Sequence, residues 1–339
     1  MATDSIPVLY LVLVPLTAFV LASLLTPLTI RQATRWGFLD QPAPRRLHRV
    51  PTPRHGGIPL SLALVAALLL TLPLPRTDPF ERGKLVGLVI GLTIIAVAGA
   101  YDDARELRPF PQFAFQFLAA GVVIAGGVIV QAIPNPFGND LPLGWLAIPF
   151  TLFWIVGMMN TINWLDGVDG VASGVTLIAS GVLFLHTFRL GQLSLTLLPL
   201  ALIGAVLGFL LFNFPPAKIF LGSGAYLLGF ALAVLSIIGG AKVATALLAL
   251  AIPILDVAWQ IVNRVRRGRS PFYADRGHLH HRLYDLGHST RSIVALYYAL
   301  TAAFGALALI LPSGVYKLIA LVLIGAGAIA VLIRLRPEA

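Results

Sequence analysis

The chain has 339 residues, of which 58% are hydrophobic and only 11% charged. Soluble domains carry roughly 25% charged residues, so this chain cannot cover a water-facing surface and reads as an all-α integral membrane protein. The formal charge of +10 would suit nucleic acid only if the basic residues shared one soluble face; they are scattered between apolar runs, which excludes that partner. Absence of cysteine excludes disulfides, thiolate metal sites and cysteine nucleophiles together.

A helix needs about 20 apolar residues to cross a bilayer core. The sequence predicts about eleven such spans, at 6–30, 57–75, 84–101, 113–131, 141–160, 170–188, 192–212, 225–240, 243–263, 292–312 and 314–333. The first has no basic residue before it and no small-residue cleavage site after a short apolar core, so it reads as a retained helix rather than a signal peptide. Eleven spans put the termini on opposite sides. With the N-terminus outside, eighteen of the 24 Lys and Arg residues fall on the inner side, and the positive-inside rule then makes the C-terminus cytoplasmic. Residues 1–339 form a single polytopic membrane domain with cytoplasmic loops near 31–56, 101–112, 160–170, 213–224 and 264–291. No soluble domain, low-complexity tract or close repeat is visible.

Chemistry gathers on these loops. Asp40, Asp102, Asp103, Glu106, Asp166, Asp169, Asp256, Asp275 and Asp285 share the inner side with most of the arginines. Carboxylates near membrane depth are costly and point to function, and hard oxygens beside arginines suit Mg²⁺ and phosphate.

In chain order, the first piece is His48-Arg49-Val50-Pro51-Thr52-Pro53-Arg54-His55-Gly56-Gly57, an irregular basic loop before the second span. Arg49, Thr52 and Arg54 are its candidate substrate-binding side chains. Backbone N–H groups at the following helix start could receive an anion; the plainer reading is an inside anchor. Next comes Tyr101-Asp102-Asp103-Ala104-Arg105, closing the third span. Adjacent acids project to different sides of a helix, so at most one is expected to bind metal directly while the other orients it; the plain alternative is a solvated helix end.

The third piece, Asn160 to Gly170, holds Asn163, Asp166 and Asp169 at i, i+3 and i+6, which a helix would align on one face. Gly167 and Gly170 permit a broken helix. A polar cap on the sixth span is the structural alternative. Last is Asp275-Arg276-Gly277-His278-Leu279-His280-His281-Arg282. Its histidines and arginines suit an anion, with zinc or plain surface histidines as rivals. No Walker loop, dinucleotide fingerprint or serine nucleophile motif is evident.

Taken in this order, the pieces resemble the polyprenyl-phosphate N-acetylhexosamine-1-phosphate transferases, the WecA/MraY superfamily, over roughly residues 30 to 290. The matching residues are Pro51-Thr52-Pro53-Arg54 with Gly56-Gly57, Asp102-Asp103, Asn163 through Gly170, and Asn213 through Phe220. They continue with Pro253-Ile254-Leu255-Asp256 and the loop from Arg267 to His281. The His-X-His-His form and the Pro-Thr-Pro-Arg loop are more similar to the WecA-type branch than to the muramyl-pentapeptide branch.

The resemblance implies transfer of a sugar-1-phosphate, by default N-acetylglucosamine-1-phosphate, from a UDP-sugar to undecaprenyl or another polyprenyl phosphate. UMP is released, at the cytoplasmic face of a bacterial inner membrane, with Mg²⁺ (or Mn²⁺) required. It makes Asp102, Asp103, Asp166 and Asp169 the catalytic and metal-binding set, with Asp102 and Asp103 serving metal and acceptor phosphate. Asn163, Asp166 and Asp169 would hold uridine or pyrophosphate, and His278, His280 and His281 the pyrophosphate. Arg49, Thr52, Arg54, Arg105 and Arg276 complete the substrate-binding set; a homodimer is compatible with all of this.

Two departures stand out. Where the family reads Gly-Asp-(Ser/Thr)-Gly, this chain has Leu221-Gly222-Ser223-Gly224-Ala225, without the acid. Where the family commonly has lysines after the paired aspartates, it has Pro109-Phe110-Pro111-Gln112, so Arg105 and Arg108 are the expected substitutes. The rival readings are a transporter or flippase, and an inactive family member acting as a scaffold.

Overall fold

In a bilayer core no water is available to the backbone, so each apolar run must satisfy its N–H and C=O groups internally and becomes helical. The structure, a computed structural model, describes residues 7–42, 50–76, 78–238, 243–273, 275–312 and 314–334. In chain order its helices are α1 (Leu9–Trp36), α2 (Gly57–Leu69), α3 (Glu81–Arg105), α4 (Pro109–Ala125), α5 (Ala147–Leu165), α6 (Val171–Arg189), α7 (Leu193–Asn213), α8 (Gly224–Ile238), α9 (Val243–Ala249), α10 (Ala251–Arg266), α11 (Leu279–Asp285), α12 (Thr290–Ile310) and α13 (Gly314–Arg334). Two short antiparallel ribbons pair Leu39–Asp40 with Thr52–Pro53 and Ala132–Ile133 with Leu141–Pro142.

Seven helices are long and apolar enough to cross a membrane, or eight if the bent α9–α10 pair counts as one span. The helices α2, α4 and α8 are apolar but shorter. The chain is a multi-pass, all-α membrane protein. Two expectations need correction. The first helix does not stop near residue 30 but carries Arg31 and Arg35 to Trp36, where Gly37 at φ 75° closes it. The stretch 243–263 is not one helix, because α9 and α10 meet at 83°. Pro253 has no N–H and its ring would crowd the carbonyl of Ala249, which favours a break at Leu250, although α1 and α7 carry Pro15, Pro27 and Pro199 within them.

The centre of the bundle is α8, which buries thirteen of its 15 residues. Around it α1 packs most extensively on α7, α6 on α7, α5 on α8 and α3 on α4. The α1–α7 contact is close because Gly204 and Gly208 lie one turn apart on α7. A Cβ there would sit 2.1 Å from the Pro15 carbonyl oxygen and 2.5 Å from that of Phe19. Small residues at such spacing let membrane helices approach backbone to backbone. At the far edge α13 buries only Leu332.

The two ends of α3 differ. At its start Glu81 is buried and takes hydrogen bonds from Arg76 Nη1 (2.8 Å) and Ser194 Oγ (2.9 Å). At its other end, roughly 35 Å away at 1.5 Å per residue, lie Asp102 and Asp103.

Candidate active site

The ends of α3, α5 and α7, the loop before α2, and α11 surround one polar cleft of about 450 Å³. Its wall includes Asp40, Arg54, Asp102, Gln112, Asn163, Asp166, Asp169, Ser223, Tyr226 and His281. All five loops expected from the sequence contribute to it.

Ser223 organises the paired aspartates. Its N–H and hydroxyl donate to Asp103 Oδ1 at 2.8 and 2.9 Å, and the hydroxyl lies 3.1 Å from Asp102 Oδ2. Asp102 also accepts from the Leu107 N–H (2.8 Å) and from Gln112 Nε2 (3.0 and 3.1 Å). The loop can come this close only because residue 222 is glycine. It sits at φ 56°, and a Cβ there would lie 2.6 Å from Asp103 Oδ1 and 2.1 Å from the Arg54 carbonyl oxygen. Both acids therefore engage one hydroxyl.

Arg54 faces these acids. Its backbone is fixed on either flank, since Phe220 N–H donates to the Pro53 carbonyl (2.8 Å) and Gly56 N–H to that of Phe220 (3.0 Å). The second bond consumes an N–H that the sequence offers to an anion. The guanidinium reaches Asp103 (Nε, 3.6 Å) and Glu106 (Nη1, 2.9 Å). Next to it His55 is buried against Phe38, and burial, then Arg54, lowers its pKa.

The segment after α5 is a turn. The helix ends at Leu165 and Asp166 is its C-cap, so Asn163, Asp166 and Asp169 do not share one helix face; the turn nevertheless sets all three in the cleft wall. Asp169 accepts from the Ala217 N–H at 2.9 Å. Asn163 donates to the Tyr226 hydroxyl at 3.1 Å. Asp166 takes no hydrogen bond from any described residue. Desolvation, then the charges of Asp169 and Asp103, push its carboxyl well above the usual range.

The histidine segment divides. His281 lines the cleft, and burial, followed by Arg276 and His278, pushes its ring down to about 4. His280 is fully buried behind Gly167, where a Cβ would lie 2.1 Å from its Nε2. His278 is turned to a separate set of partners, its Nδ1 2.8 Å from Asp256 Oδ2 and its Nε2 3.3 Å from Arg264 Nη2. Arg264 can only donate, so Nε2 accepts and Nδ1–H donates to Asp256; neither nitrogen is left for a substrate. Arg264 also pairs with Asp275 at 3.0 Å, donates to the Pro271 carbonyl at 2.7 Å and lies over the Trp164 ring.

Other expected ligands stand apart from the wall. Thr52 is buried, and its hydroxyl donates to the Val50 carbonyl at 2.9 Å. Arg105 is exposed at the end of α3, and Arg276 is paired with Asp285. Arg49 lies outside the described residues. Among the described residues no three His, Asp or Glu side chains gather around one point; Asp102 is engaged by Leu107, Gln112 and Ser223, Asp103 by Ser223 and Asp169 by Ala217.

Known proteins are similar to this chain over most of its length. The family model described as "Glycosyl transferase family 4" matches residues 85–240. A probable undecaprenyl-phosphate N-acetylglucosaminyl 1-phosphate transferase of Bacillus subtilis is 32% identical over 298 residues, covering 86% of this chain and 82% of that one. The chain belongs to glycosyl transferase family 4. A decaprenyl-phosphate N-acetylglucosaminephosphotransferase of Mycobacterium tuberculosis is 35% identical over 338 residues, covering 89% and 83%. A phospho-N-acetylmuramoyl-pentapeptide-transferase of Streptococcus equi is 34% identical over 253 residues, covering 67% and 72%.

Within this family-4 cleft, Gln112 and Tyr226 escape a reading of the sequence. Gln112 is a polar residue in an apolar helix, and Tyr226 lies one turn after Ser223 (Oη to Gln112 Oε1, 3.4 Å). A polar tip in an apolar span was the available signal for both. Arg264 reads from sequence only as an inner-side charge.

Proposed function

We propose that this chain transfers N-acetylglucosamine-1-phosphate from a UDP-sugar to a polyprenyl phosphate such as undecaprenyl phosphate. The observation that carries the reading is the meeting of five loops around one cleft lined by Asp102, Asp166, Asp169, Arg54 and His281. The names of the family-4 relatives supply the substrate class. An apolar crevice of Ile95, Ala98, Leu107 and Phe115 shares Asp102, Gln112 and Tyr226 with the cleft, which suits a phosphate carried on a hydrocarbon tail.

In the proposed reaction an oxygen of the acceptor phosphate attacks the β-phosphorus of the UDP-sugar. A new P–O–P bridge forms, the old bridge breaks, and UMP leaves with the electron pair. A phosphate monoester has its second pKa near 6, so the acceptor is mostly dianionic at neutral pH and needs no strong base. The task of the protein is to bring like charges together. Arg54 supplies a permanent positive charge in the wall that can orient the acceptor, and Asp102, held by Gln112 and Ser223, can take the proton of an acceptor that is still monoanionic. His281, whose ring pKa is lowered to about 4, offers a hydrogen bond rather than a charge at pH 7.

Mg²⁺ fits the donor set at Asp166. A carboxylate that lacks hydrogen-bond donors and faces two others of like charge is relieved by a cation. Mg²⁺ commonly takes only one or two carboxylates, with waters and substrate phosphates completing its shell. When bound it would neutralise charge on the diphosphate. The eleven-span topology, N-terminus outside and cleft cytoplasmic in a bacterial inner membrane, is supported by the bias of basic residues toward the loops that line the cleft.

The test is UMP release by the detergent-purified full chain with UDP-N-acetylglucosamine, undecaprenyl phosphate and Mg²⁺. Release that depends on lipid and metal is the expected result. No release with any UDP-hexosamine would overturn the reading, and trapping of a phosphorylated enzyme in a single turnover would replace direct displacement by an aspartyl nucleophile.

A further inference from the structure

Arg54 is held in an unusual way for a residue facing a phosphate site. Its backbone is clamped on both flanks by Phe220, yet Nη1 rests on a carboxylate that is 72% exposed, that of Glu106. Glu106 is also the one non-glycine residue with positive φ (48°) among the described residues. It caps α3 at a position where glycine is strongly favoured. A glutamate at such a place calls for a reason beyond ending the helix. Arg54 also borders a second hollow of about 420 Å³, walled by Gly37–Pro42, Asp103 and Glu106, so its outer side is open as well as its inner one.

We infer that the Glu106 carboxylate is a placeholder anion, occupying Arg54 until a substrate phosphate displaces it. The inference rests on the transferase reading above. An exposed ion pair contributes little and is easily exchanged, whereas a phosphate brings more charge and a geometry that a guanidinium binds through two parallel bonds. Asp103 stays beside Nε at 3.6 Å in either case, so Glu106 is the exchangeable partner, and while it holds Nη1 weak anions compete poorly for Arg54. Affinity for the true substrate is lowered by the fraction of time that Arg54 is occupied. The diphosphate of a sugar nucleotide and the phosphate of the lipid acceptor share this chemistry, and separate measurements distinguish them.

The test uses the full-length protein in detergent with Glu106→Gln and Glu106→Gly, the second keeping the left-handed backbone without strain. The dissociation constant for UDP-N-acetylglucosamine and the KM for undecaprenyl phosphate are measured for each. The expected result is a fall of about 3- to 10-fold in one of the two constants, shared by both variants. A fall for the nucleotide assigns Arg54 to the diphosphate; a fall for the lipid assigns it to the acceptor. A structural role for Glu106 could not tighten binding, so unchanged or weakened constants in both variants would overturn the inference while leaving the transferase reading intact. Wild-type protein that neither binds the nucleotide nor turns over would overturn both.

Discussion

Two clusters of acids and bases lie within the same end of this bundle, and they are built on opposite plans. Around Asp256, His278, Arg264 and Asp275, both ring nitrogens of the imidazole and the guanidinium meet protein partners, with Asp256 Oδ1 also taking the Leu279 N–H at 3.0 Å. Around Asp166 the contrast is in the central residue: Asp169 and Asp103 accept from Ala217 and Ser223, but no described residue donates to Asp166. The closed cluster spends its charges on geometry, tying α10 to the start of α11 and so setting His281 in the cleft wall. The open cluster keeps its charges for something that arrives from outside.

Breaking each cluster should therefore produce different losses. Asp166→Asn should reduce UMP release on the order of 10²–10³-fold with no fall in the unfolding midpoint, because the lost charge was repelled by its neighbours. A clear loss of stability would contradict the view that the cluster is open. Asp256→Ala should do the opposite, costing about 3 kcal/mol of stability by leaving His278 and the Leu279 N–H unpaired. The detergent unfolding midpoint should fall, while nucleotide binding per folded molecule changes less. Ser223→Ala lies between the two. It removes hydroxyl bonds to two carboxylates but keeps the backbone bond to Asp103, and a loss of activity of about 10-fold is expected, with stability lowered by about 1.5 kcal/mol.

The smallest effect concerns pH. The ring of His281 has its pKa lowered from 6.5 to about 4, so below pH 6.5 the unfolded chain binds a proton that the folded one refuses. Its contribution to stability is whole above pH 6.5 and is lost as pH falls toward 4. Subtracting the unfolding curve of His281→Asn from that of wild type between pH 7 and 5 isolates this slope from that of Asp166, whose raised pKa acts in the other direction. A difference that does not change with pH would show that His281 is already solvated.

Much of the cleft was legible in the sequence, because charge is rare in a chain that is 58% hydrophobic. Asp166 and Asp169 stand out against apolar neighbours, and Asp102, Arg54 and His281 fall in short polar runs between apolar spans. The division of labour among the histidines was not legible. Three imidazoles within four residues look equivalent until Asp256 and Arg264, fourteen or more residues away in sequence, select His278. The break in the ninth expected span was hidden for a related reason: an apolar count over 243–263 does not register that Pro253 lacks an N–H. Ser223 attracted notice as a missing acid, whereas its position between Asp102 and Asp103 depends on a left-handed Gly222 that only the fold reveals.

The cleft draws its wall from residues as early as Asp40 and as late as His281, with a contribution from almost every second connection between helices. A ribosome that has delivered α1 through α8 has therefore placed the central helix and most of the carboxylates, but not the imidazole that completes the wall. The cleft wall is therefore completed only near the close of synthesis, and a chain cut short before α11 would lack His281.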